Sequence, residues 1–395
     1  MIVRKTKPEE GKQVNELFSI AFEQPMENGP VGEDDTGMTH WAAFDEATGE
    51  MISTFTITEF PIWFDGNVVK MGGIGGVATL PSYRRTGGIR GAFQAALPDM
   101  YENGYIFSYL YPFSTAYYRK FGYENCVCKR SVAVDLALLA PRKADGHCVM
   151  AGLGKDLTKA VRTLEADWER NYNMAVCHEE KDYAWVAKAD PMKKPEFLYV
   201  YFDAQGTPRG YLQFHLENQP DGRNLVGTKL VFRDREGFDG LMNLVKTMAS
   251  DHRYLKFQLP EEEALPYLFS EWSLGAAQWS TLPAGMVRVV NVRKALELAA
   301  YRGGGTVTLG ITDCQIPENN GIFRVTFQNG KALSVEKTEE KADLELPIAA
   351  FSALLSGVSA LDAAERWMPD VHKNRDNPAL AGVFYKKPLW IGDYF

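Results

Sequence analysis

The most constraining feature of the sequence is a basic, glycine-containing turn between a short apolar run and an amphipathic segment. The run 74–80 has the composition of a buried strand, and Pro81 ends it. From Gly88 to Tyr101 apolar residues recur at helical spacing, which predicts a helix. Between the two lies Tyr-Arg-Arg-Thr-Gly-Gly at 83–88. Such a helix N-terminus is suited to bind an anion, because its N–H groups point outward and glycine allows close approach.

The same stretch also fits an ordinary strand-to-helix connection that ends in a glycine cap. The two arginines beside the glycines favour the anion site. The glycine run 72–76 lies before the predicted strand, and the turn contains no G-x-x-x-x-G-K-S/T. Neither a dinucleotide fingerprint nor a P-loop therefore fits.

Residues 77–90, Val-Ala-Thr-Leu-Pro-Ser-Tyr-Arg-Arg-Thr-Gly-Gly-Ile-Arg, resemble the acetyl-CoA signature of the GCN5-related N-acetyltransferases (GNAT). That family has an R/Q-x-x-G-x-G/A pattern after a strand. Arg84 and Gly87 match its first two positions, and Ile89 departs from the third. The segment 118–123, Tyr-Arg-Lys-Phe-Gly-Tyr, is similar to the family's Y-x-x-F-G-Y/F landmark. The resemblance implies acetyl-CoA as cosubstrate, bound by Val77, Ala78, Thr79, Arg84, Arg85, Thr86, Gly87, Gly88, Ile89 and Arg90.

Charge and hydropathy exclude several classes of protein. The net charge of −8 and the pI near 5.5 argue against a nucleic-acid partner and favour cationic substrates. No apolar run reaches about 18 residues, so we expect no membrane span. The first twelve residues lack the apolar core of a signal peptide. We therefore expect a cytoplasmic protein.

The cysteines and histidines do not indicate a disulfide framework or a metal centre. The five cysteines are odd in number and scattered along the chain. The six histidines form no i,i+4 pair and no H-E-x-x-H motif. We expect reduced thiols and no metal.

With 395 residues the chain is long for one domain, and two or three are expected. We place the first at 1–144. Residues 145–285 repeat its pattern of hairpin, strand, turn and helix more weakly, but Asp234, Glu236 and Asp239 lie at and near the turn that corresponds to the basic one. Because these acids would repel a pyrophosphate, we expect a degenerate copy without cofactor. Residues 286–395 form a third unit.

Two acetyltransferase-like units, a third α+β unit and an aromatic C-terminal segment together resemble the Eis (enhanced intracellular survival) family of N-acetyltransferases. The match is most specific at 77–90, at 118–123, at 286–292 and at the final Phe395. The resemblance implies an α/β (α+β) fold with two tandem GNAT-like domains and a sterol-carrier-like C-terminal domain. It also implies a homo-oligomer, a hexamer, that acetylates amines of aminoglycosides, polyamines or protein lysines.

The same resemblance assigns the two catalytic groups. Tyr118 occupies the family's general-acid position, and the α-carboxylate of Phe395 corresponds to its general base. A phenol with a pKa of about 10 stays protonated at neutral pH, whereas a free α-carboxylate with a pKa of roughly 3.5 is a weak base until burial raises that value. The alternatives are that Tyr118 only packs, that a relayed water is the base, or that the C-terminal segment packs with its carboxylate exposed.

An acidic stretch lies between a predicted amphipathic helix that begins at Pro8 and the strand that begins at Trp41. Acids at the mouth of the pocket would attract a cationic acceptor. We assign Glu23, Asp34, Asp35 and Trp41 to acceptor binding as a hypothesis; the alternative is a solvated loop.

Two other functions are compatible with the sequence. One is a non-enzymatic lipid-binding or scaffold protein built on the carrier-like domain, against which the intact turn 84–88 argues. The other is an acyltransferase that uses a different acyl-CoA.

Overall fold

The computed structural model describes residues 1–25, 37–220, 222–263, 265–269 and 275–395. In this part of the chain the strands form two sheets of seven strands and one of five. None of the described helices is long and apolar enough to cross a membrane.

The first stretch of the chain contains six strands and three helices within its described residues. The strands are β1 Ile2–Lys5, β2 Met38–Phe44, β3 Met51–Phe64, β4 Asn67–Thr79, β5 Phe107–Leu110 and β6 Glu124–Asn125. The helices are α1 Gly11–Phe22, α2 Gly88–Glu102 and α3 Thr115–Arg119.

The middle of the chain repeats this pattern of a long hairpin followed by a strand, a helix and a strand. Its strands are β7 Cys128–Asp135, β8 His147–Met150, β9 Glu196–Phe202, β10 Pro208–Gln219, β11 Gly222–Phe232, β12 Tyr254–Pro260 and β13 Ala277–Pro283. Its helices are α4 Thr158–Glu169, α5 Ala184–Ala187, α6 Arg235–Lys246 and α7 Leu265–Leu268.

The last stretch alternates short helices with a smaller sheet. Its strands are β14 Met286–Val289, β15 Gly304–Thr312, β16 Gly321–Gln328, β17 Lys331–Thr338, β18 Leu344–Pro347 and β19 His372–Lys373. Its helices are α8 Val292–Leu298, α9 Ile348–Ser356, α10 Leu361–Trp367 and α11 Leu380–Val383.

The two large sheets have corresponding topologies. The first has the order β1-β2-β3-β4-β5-β14-β6, and the second has the order β13-β7-β12-β11-β10-β9-β8. In the first, β4 and β5 run parallel and are joined by α2; in the second, β11 and β12 run parallel and are joined by α6. The repeat predicted from the sequence is therefore visible as a repeated strand-helix-strand unit.

Each large sheet contains a strand that is distant in sequence from the strand it pairs with. β14 pairs antiparallel with β5 in the first sheet, and β7 pairs antiparallel with β12 in the second. Accordingly, residues 1–127, 284–387 and 391–395 form one compact unit, and 128–283 with 388–390 form the other. The compact units therefore change at 127/128 and 283/284, whereas the sequence analysis places its domain boundaries at 144/145 and 285/286.

The two faces of the first sheet have different cores. Helix α2 covers one face, where Trp41, Phe55, Ile57 and Ile74 pack against its apolar side. Helix α1 covers the other face, where Val14, Leu17 and Phe18 pack on Ala42, Phe44 and Ala78. Alternate residues of each strand point to opposite faces, so this division decides which side chains can share a site.

Two details of the predicted elements are wrong. The glycine run 72–76 lies inside β4, which begins at Asn67, and does not precede the strand. The turn of the second unit ends at Asp234, because α6 begins at Arg235 and contains Glu236 and Asp239. In both places tertiary pairing or capping extended a regular element into residues of low intrinsic propensity.

Candidate active site

The first sheet opens beyond the middle of β4. The ladder between β4 and β5 ends at the pair Ile74–Leu110, while β4 continues to Thr79. The β5-facing backbone of 75–79 therefore borders a gap in the sheet. Val77, Ala78 and Thr79, three of the predicted cofactor residues, lie on this segment, where main-chain groups can pair with an extended ligand.

A β-bulge shapes the same segment. Thr54 faces Ala78 and Thr56 faces Gly75, so β4 has one extra residue between these pairs. Gly76 has φ 58°, and an ideal Cβ there would lie 2.5 Å from Phe18. Both the backbone angle and the close approach of Phe18 require glycine at this position.

The basic turn lies directly after this strand and leads into α2. Arg84, Arg85 and Arg90 are exposed, and Arg85 has φ 70°. Gly87 is the N-cap residue of α2 with φ 99°, and nothing lies within 4 Å of the place where its Cβ would be. No side chain caps the N-terminus of α2, and the three exposed arginines lie in this turn or in the first turn of the helix, which suits a pyrophosphate.

The corresponding turn of the second sheet is closed by its own side chain. Asp234 caps α6 and accepts a hydrogen bond from the Gly237 N–H at 3.0 Å. Its other carboxylate oxygen accepts from Arg209 at 2.7 Å. A carboxylate occupies the helix N-terminus that an anion would need, which supports the expectation that this copy does not bind the cofactor.

Tyr118 is held on a short helix after β5. Ser114 caps α3 by accepting from the Tyr117 N–H. The Tyr118 ring is buried and makes edge contacts with Phe93, Phe113 and Tyr123. Burial raises the pKa of Tyr118, so the phenol keeps its proton at neutral pH.

A buried ion pair supports the turn that follows Tyr118. Arg288 on β14 donates to the Phe121 carbonyl at 2.7 Å and to both carboxylate oxygens of Asp313. The Arg288 and Asp313 side chains have no exposed surface. Leaving either charge unpaired in this environment would cost several kcal/mol, so the pair fixes the chain on the C-terminal side of Tyr118.

Phe395 lies on the face of the sheet covered by α1. Its ring is 2.5 Å from the position of an ideal Cβ at Gly73, and its carbonyl oxygen is 2.6 Å from that at Gly75. Tyr111 holds the preceding residues by donating from its hydroxyl to the Asp393 carbonyl at 2.6 Å and by stacking on Tyr394. The final residue therefore lies on the part of β4 where the sheet begins to open.

One short segment positions both predicted catalytic residues. Tyr111, which contacts Asp393, Tyr394 and Phe395, follows β5 immediately, and Tyr118 comes seven residues later. The end of β5 therefore links the position of Phe395 to that of α3, which carries Tyr118.

The residues predicted to bind the acceptor do not cluster around Phe395 and β4. Trp41 is buried under α2, on the face of the sheet opposite Phe395, so its side chain cannot line the same pocket. Glu23 is exposed at the C-terminal end of α1. Asp34 and Asp35 lie outside the described residues.

Sequence reasoning missed Gly73, Gly75 and Tyr111. Glycines in a strand interior are unfavourable unless another group approaches closely. The run 72–76, if placed inside a strand, would therefore have predicted a close contact on this strand. Tyr111 carried no motif, because its partner is a backbone carbonyl far away in sequence.

Folding also brings together three side chains of metal-ligand type that are not adjacent in the sequence. Ligand-type atoms of Glu165, Glu169 and His178 lie within 4.8 Å of one another. Glu165 accepts from Tyr211 at 2.5 Å and from Lys229 at 2.6 Å, and Glu169 pairs with His178. Lys229 thus already supplies a positive charge, and we assign no metal to this group.

Comparison with protein families identifies three domains. A model of the acetyltransferase (GNAT) domain matches residues 2–126, and a second acetyltransferase (GNAT) model matches 169–289. A model of the sterol carrier protein domain matches 292–369. A comparison with curated proteins finds no match.

Several solved structures share the fold along the whole chain. A probable N-acyltransferase from Enterococcus faecalis has 21% identity and a TM-score of 0.86, with 100% of this chain and 99% of that chain covered. A GCN5-related N-acetyltransferase from Anabaena variabilis has 21% identity and a TM-score of 0.85, with both chains fully covered. Eis1 from Mycobacterium abscessus has 18% identity and a TM-score of 0.80, again with both chains fully covered.

The fold and the matched domains define the chain as an acyltransferase of the GNAT type. Its order of two GNAT domains followed by a sterol carrier protein domain confirms the fold class predicted from the sequence. Eis1 shares this fold along the whole chain, which supports the resemblance to the Eis family.

Proposed function

We propose that the protein transfers the acetyl group of acetyl-CoA to a primary amine of a cationic acceptor, with the Phe395 α-carboxylate as base and Tyr118 as acid. The GNAT domains imply acetyl-CoA as the cosubstrate. The choice of an amine acceptor agrees with the net charge of −8, which attracts cations.

The residues of the first sheet fit a nucleotide thioester. Arg84, Arg85 and Arg90 are exposed and lie in sequence next to the uncapped N-terminus of α2, which suits the pyrophosphate. The backbone of 77–79 borders the gap beside β5, which suits the amide-containing arm. An N–H group of this segment that points at the thioester oxygen would polarise the carbonyl.

Proton transfer in the reaction needs two groups. The amine must lose a proton as its nitrogen bonds to the acetyl carbon, and the sulfur must gain one as the carbon–sulfur bond breaks. In our proposal the Phe395 carboxylate accepts the first proton and Tyr118 donates the second. Burial raises the pKa of Tyr118, which keeps its proton in place until negative charge develops on the sulfur.

The observation that carries this proposal is the placement of Phe395 against Gly73 and Gly75. These residues belong to the strand whose next residues border the gap. In this position on β4, the α-carboxylate of Phe395 would lie beside the reacting carbonyl of the thioester, where a base is needed.

The test is a thiol-release assay with acetyl-CoA and three acceptors: kanamycin, spermidine and a lysine peptide. We expect release that depends on at least one amine, with the acetylated amine confirmed by mass spectrometry. Propionyl-CoA and palmitoyl-CoA in parallel assays test the alternative of another acyl group. No amine-dependent release from acetyl-CoA with any of the three would contradict the proposed substrate class.

A further inference from the structure

His40 is a buried histidine for which the mechanism above has no role. Its side chain is 2% exposed, and its Nδ1 lies 2.8 Å from the Thr56 hydroxyl. Its Nε2 has no hydrogen-bond partner among the described residues. The ring packs edge-on against Phe18 of α1, and burial lowers the pKa of His40, so the ring is neutral at pH 7.

The tautomer of His40 follows from its surroundings. A neutral imidazole has one N–H and one acceptor nitrogen. A buried N–H without a partner is rarer and more costly than a buried acceptor without one. The proton therefore belongs on Nδ1, which donates to the Thr56 oxygen, and the unpartnered Nε2 is the acceptor nitrogen.

This arrangement leaves the proton of the Thr56 hydroxyl available for another acceptor. Thr56 lies opposite His40 on β2 and opposite Gly75 on β4, so the three positions share one face of the sheet. At Gly75 the space of a side chain is taken by the Phe395 carbonyl carbon and oxygen, 2.8 and 2.6 Å from the ideal Cβ. Opposed Cβ positions in a sheet are about 5 Å apart, so one bridging water is enough to connect the hydroxyl with the carboxylate.

We propose that His40 and Thr56 are positioning residues for the Phe395 carboxylate, a role that rests on the proposed function of that group. His40 orients the Thr56 hydroxyl, and the hydroxyl, through one water, holds the carboxylate in the direction from which it accepts the amine proton. Hydrogen bonds to a charged group are among the strong ones, and a small displacement of a catalytic group lowers the rate sharply. The register of β2, β3 and β4 places His40 and Thr56 in line with Gly75, where Phe395 packs.

The experiment compares kcat, the KM for the best amine of the panel and acetyl-CoA affinity in matched variants. We expect Thr56→Val and His40→Leu to lower kcat about 10- to 100-fold with unchanged acetyl-CoA affinity. Thr56→Ser keeps the hydroxyl, and His40→Asn keeps an N–H near the place of Nδ1, so both should recover most of the activity. Thr58→Val is the control, because Thr58 faces Gly73 and the ring of Phe395 rather than its carboxylate.

The outcomes separate this inference from the proposed function. If removal of Phe395 lowers kcat while Thr56→Val does not, the positioning role is wrong and the base assignment stands. If Thr56→Ser is as slow as Thr56→Val at the same melting temperature, the hydroxyl has no role. If removal of Phe395 has no effect on kcat, the base assignment and this inference both fail. In the double variant lacking Phe395, Thr56→Val should cause no further loss.

Discussion

The carbonyl oxygen of Phe395 lies 2.6 Å from the place where a Cβ at Gly75 would be. Real Cβ atoms essentially never come so close to another heavy atom, so residue 75 must be glycine as long as Phe395 stays where it is. The requirement connects two residues 320 positions apart.

Gly75→Ala should displace Phe395 and lower kcat by about 100-fold, since a shift near 1 Å is enough for such a loss. Acetyl-CoA affinity should change little, because the arginines of the turn remain. Steady-state kinetics and calorimetric binding measure the two effects. Gly304→Ala in the small sheet is the control, where the new Cβ would have no neighbour closer than 3.3 Å. Equal kcat in both variants would contradict the close packing of Phe395.

Removing Phe395, or adding two alanines after it, should lower kcat strongly while acetyl-CoA still binds. Deletion moves the terminal carboxylate one residue back, to Tyr394, away from the place of the proposed base, and extension converts the Phe395 carboxylate into an amide. Stopped assays of amine acetylation and calorimetric titration with acetyl-CoA measure the two properties. An unchanged kcat in the extended protein would rule out the carboxylate as base.

Tyr118→Phe should lower kcat by about 10²- to 10⁴-fold if the phenol protonates the leaving sulfur. The ring contacts with Phe93 and Tyr123 are retained, so stability should change little. Tyr117→Phe, on the neighbouring residue, is the control and should retain activity. An effect limited to the KM of the amine would indicate acceptor positioning instead of acid catalysis.

Arg84→Ala and Arg85→Ala should each weaken acetyl-CoA binding by about 10-fold, because each removes a charge beside the helix N-terminus that faces the pyrophosphate. Arg235→Ala is the matched control from the second sheet, where Asp234 already caps α6. The binding constants can be measured by calorimetry. A loss of affinity in the Arg235 variant comparable to that in the Arg84 variant would place the cofactor in the second domain.

Stability should fall as the pH rises above about 10. Burial raises the pKa of Tyr123 to about 12, and its hydroxyl shares a 2.6 Å hydrogen bond with Ser108. The unfolded tyrosine ionises near pH 10. Between these values the unfolded state binds fewer protons than the folded state, so each pH unit costs on the order of 1 kcal/mol. Melting temperatures from pH 8 to 12 should therefore decline less steeply in Tyr123→Phe, and an identical slope would contradict this contribution.

The local elements were predictable because their signals are local. The helix 88–102 follows from apolar spacing, and the basic turn before it follows from adjacent arginines and glycines. The weak second copy and its acidic turn could likewise be recognised from neighbouring residues, although the capping role of Asp234 appears only in the structure.

The candidate site was less predictable. Trp41 was assigned to the acceptor site because of its place in the sequence, but strand alternation turns it to the α2 face. His40, one residue earlier, points to the face of Phe395 and carried no motif. Neighbouring residues of a strand point to opposite faces of the sheet, so the register must be known before a side chain can be assigned to a face.

The tandem acetyltransferase class could be read from the sequence, as could three hypotheses: the basic turn as cofactor site, Tyr118 as acid and the acidic second turn as inactive. Each depends on residues close together in the chain. Tertiary structure alone decided that β14 enters the first sheet, that Phe395 packs on Gly73 and Gly75, and that His40 and Thr56 align with it. These relationships join segments far apart in sequence, and they follow from strand register and close packing, which no local pattern encodes.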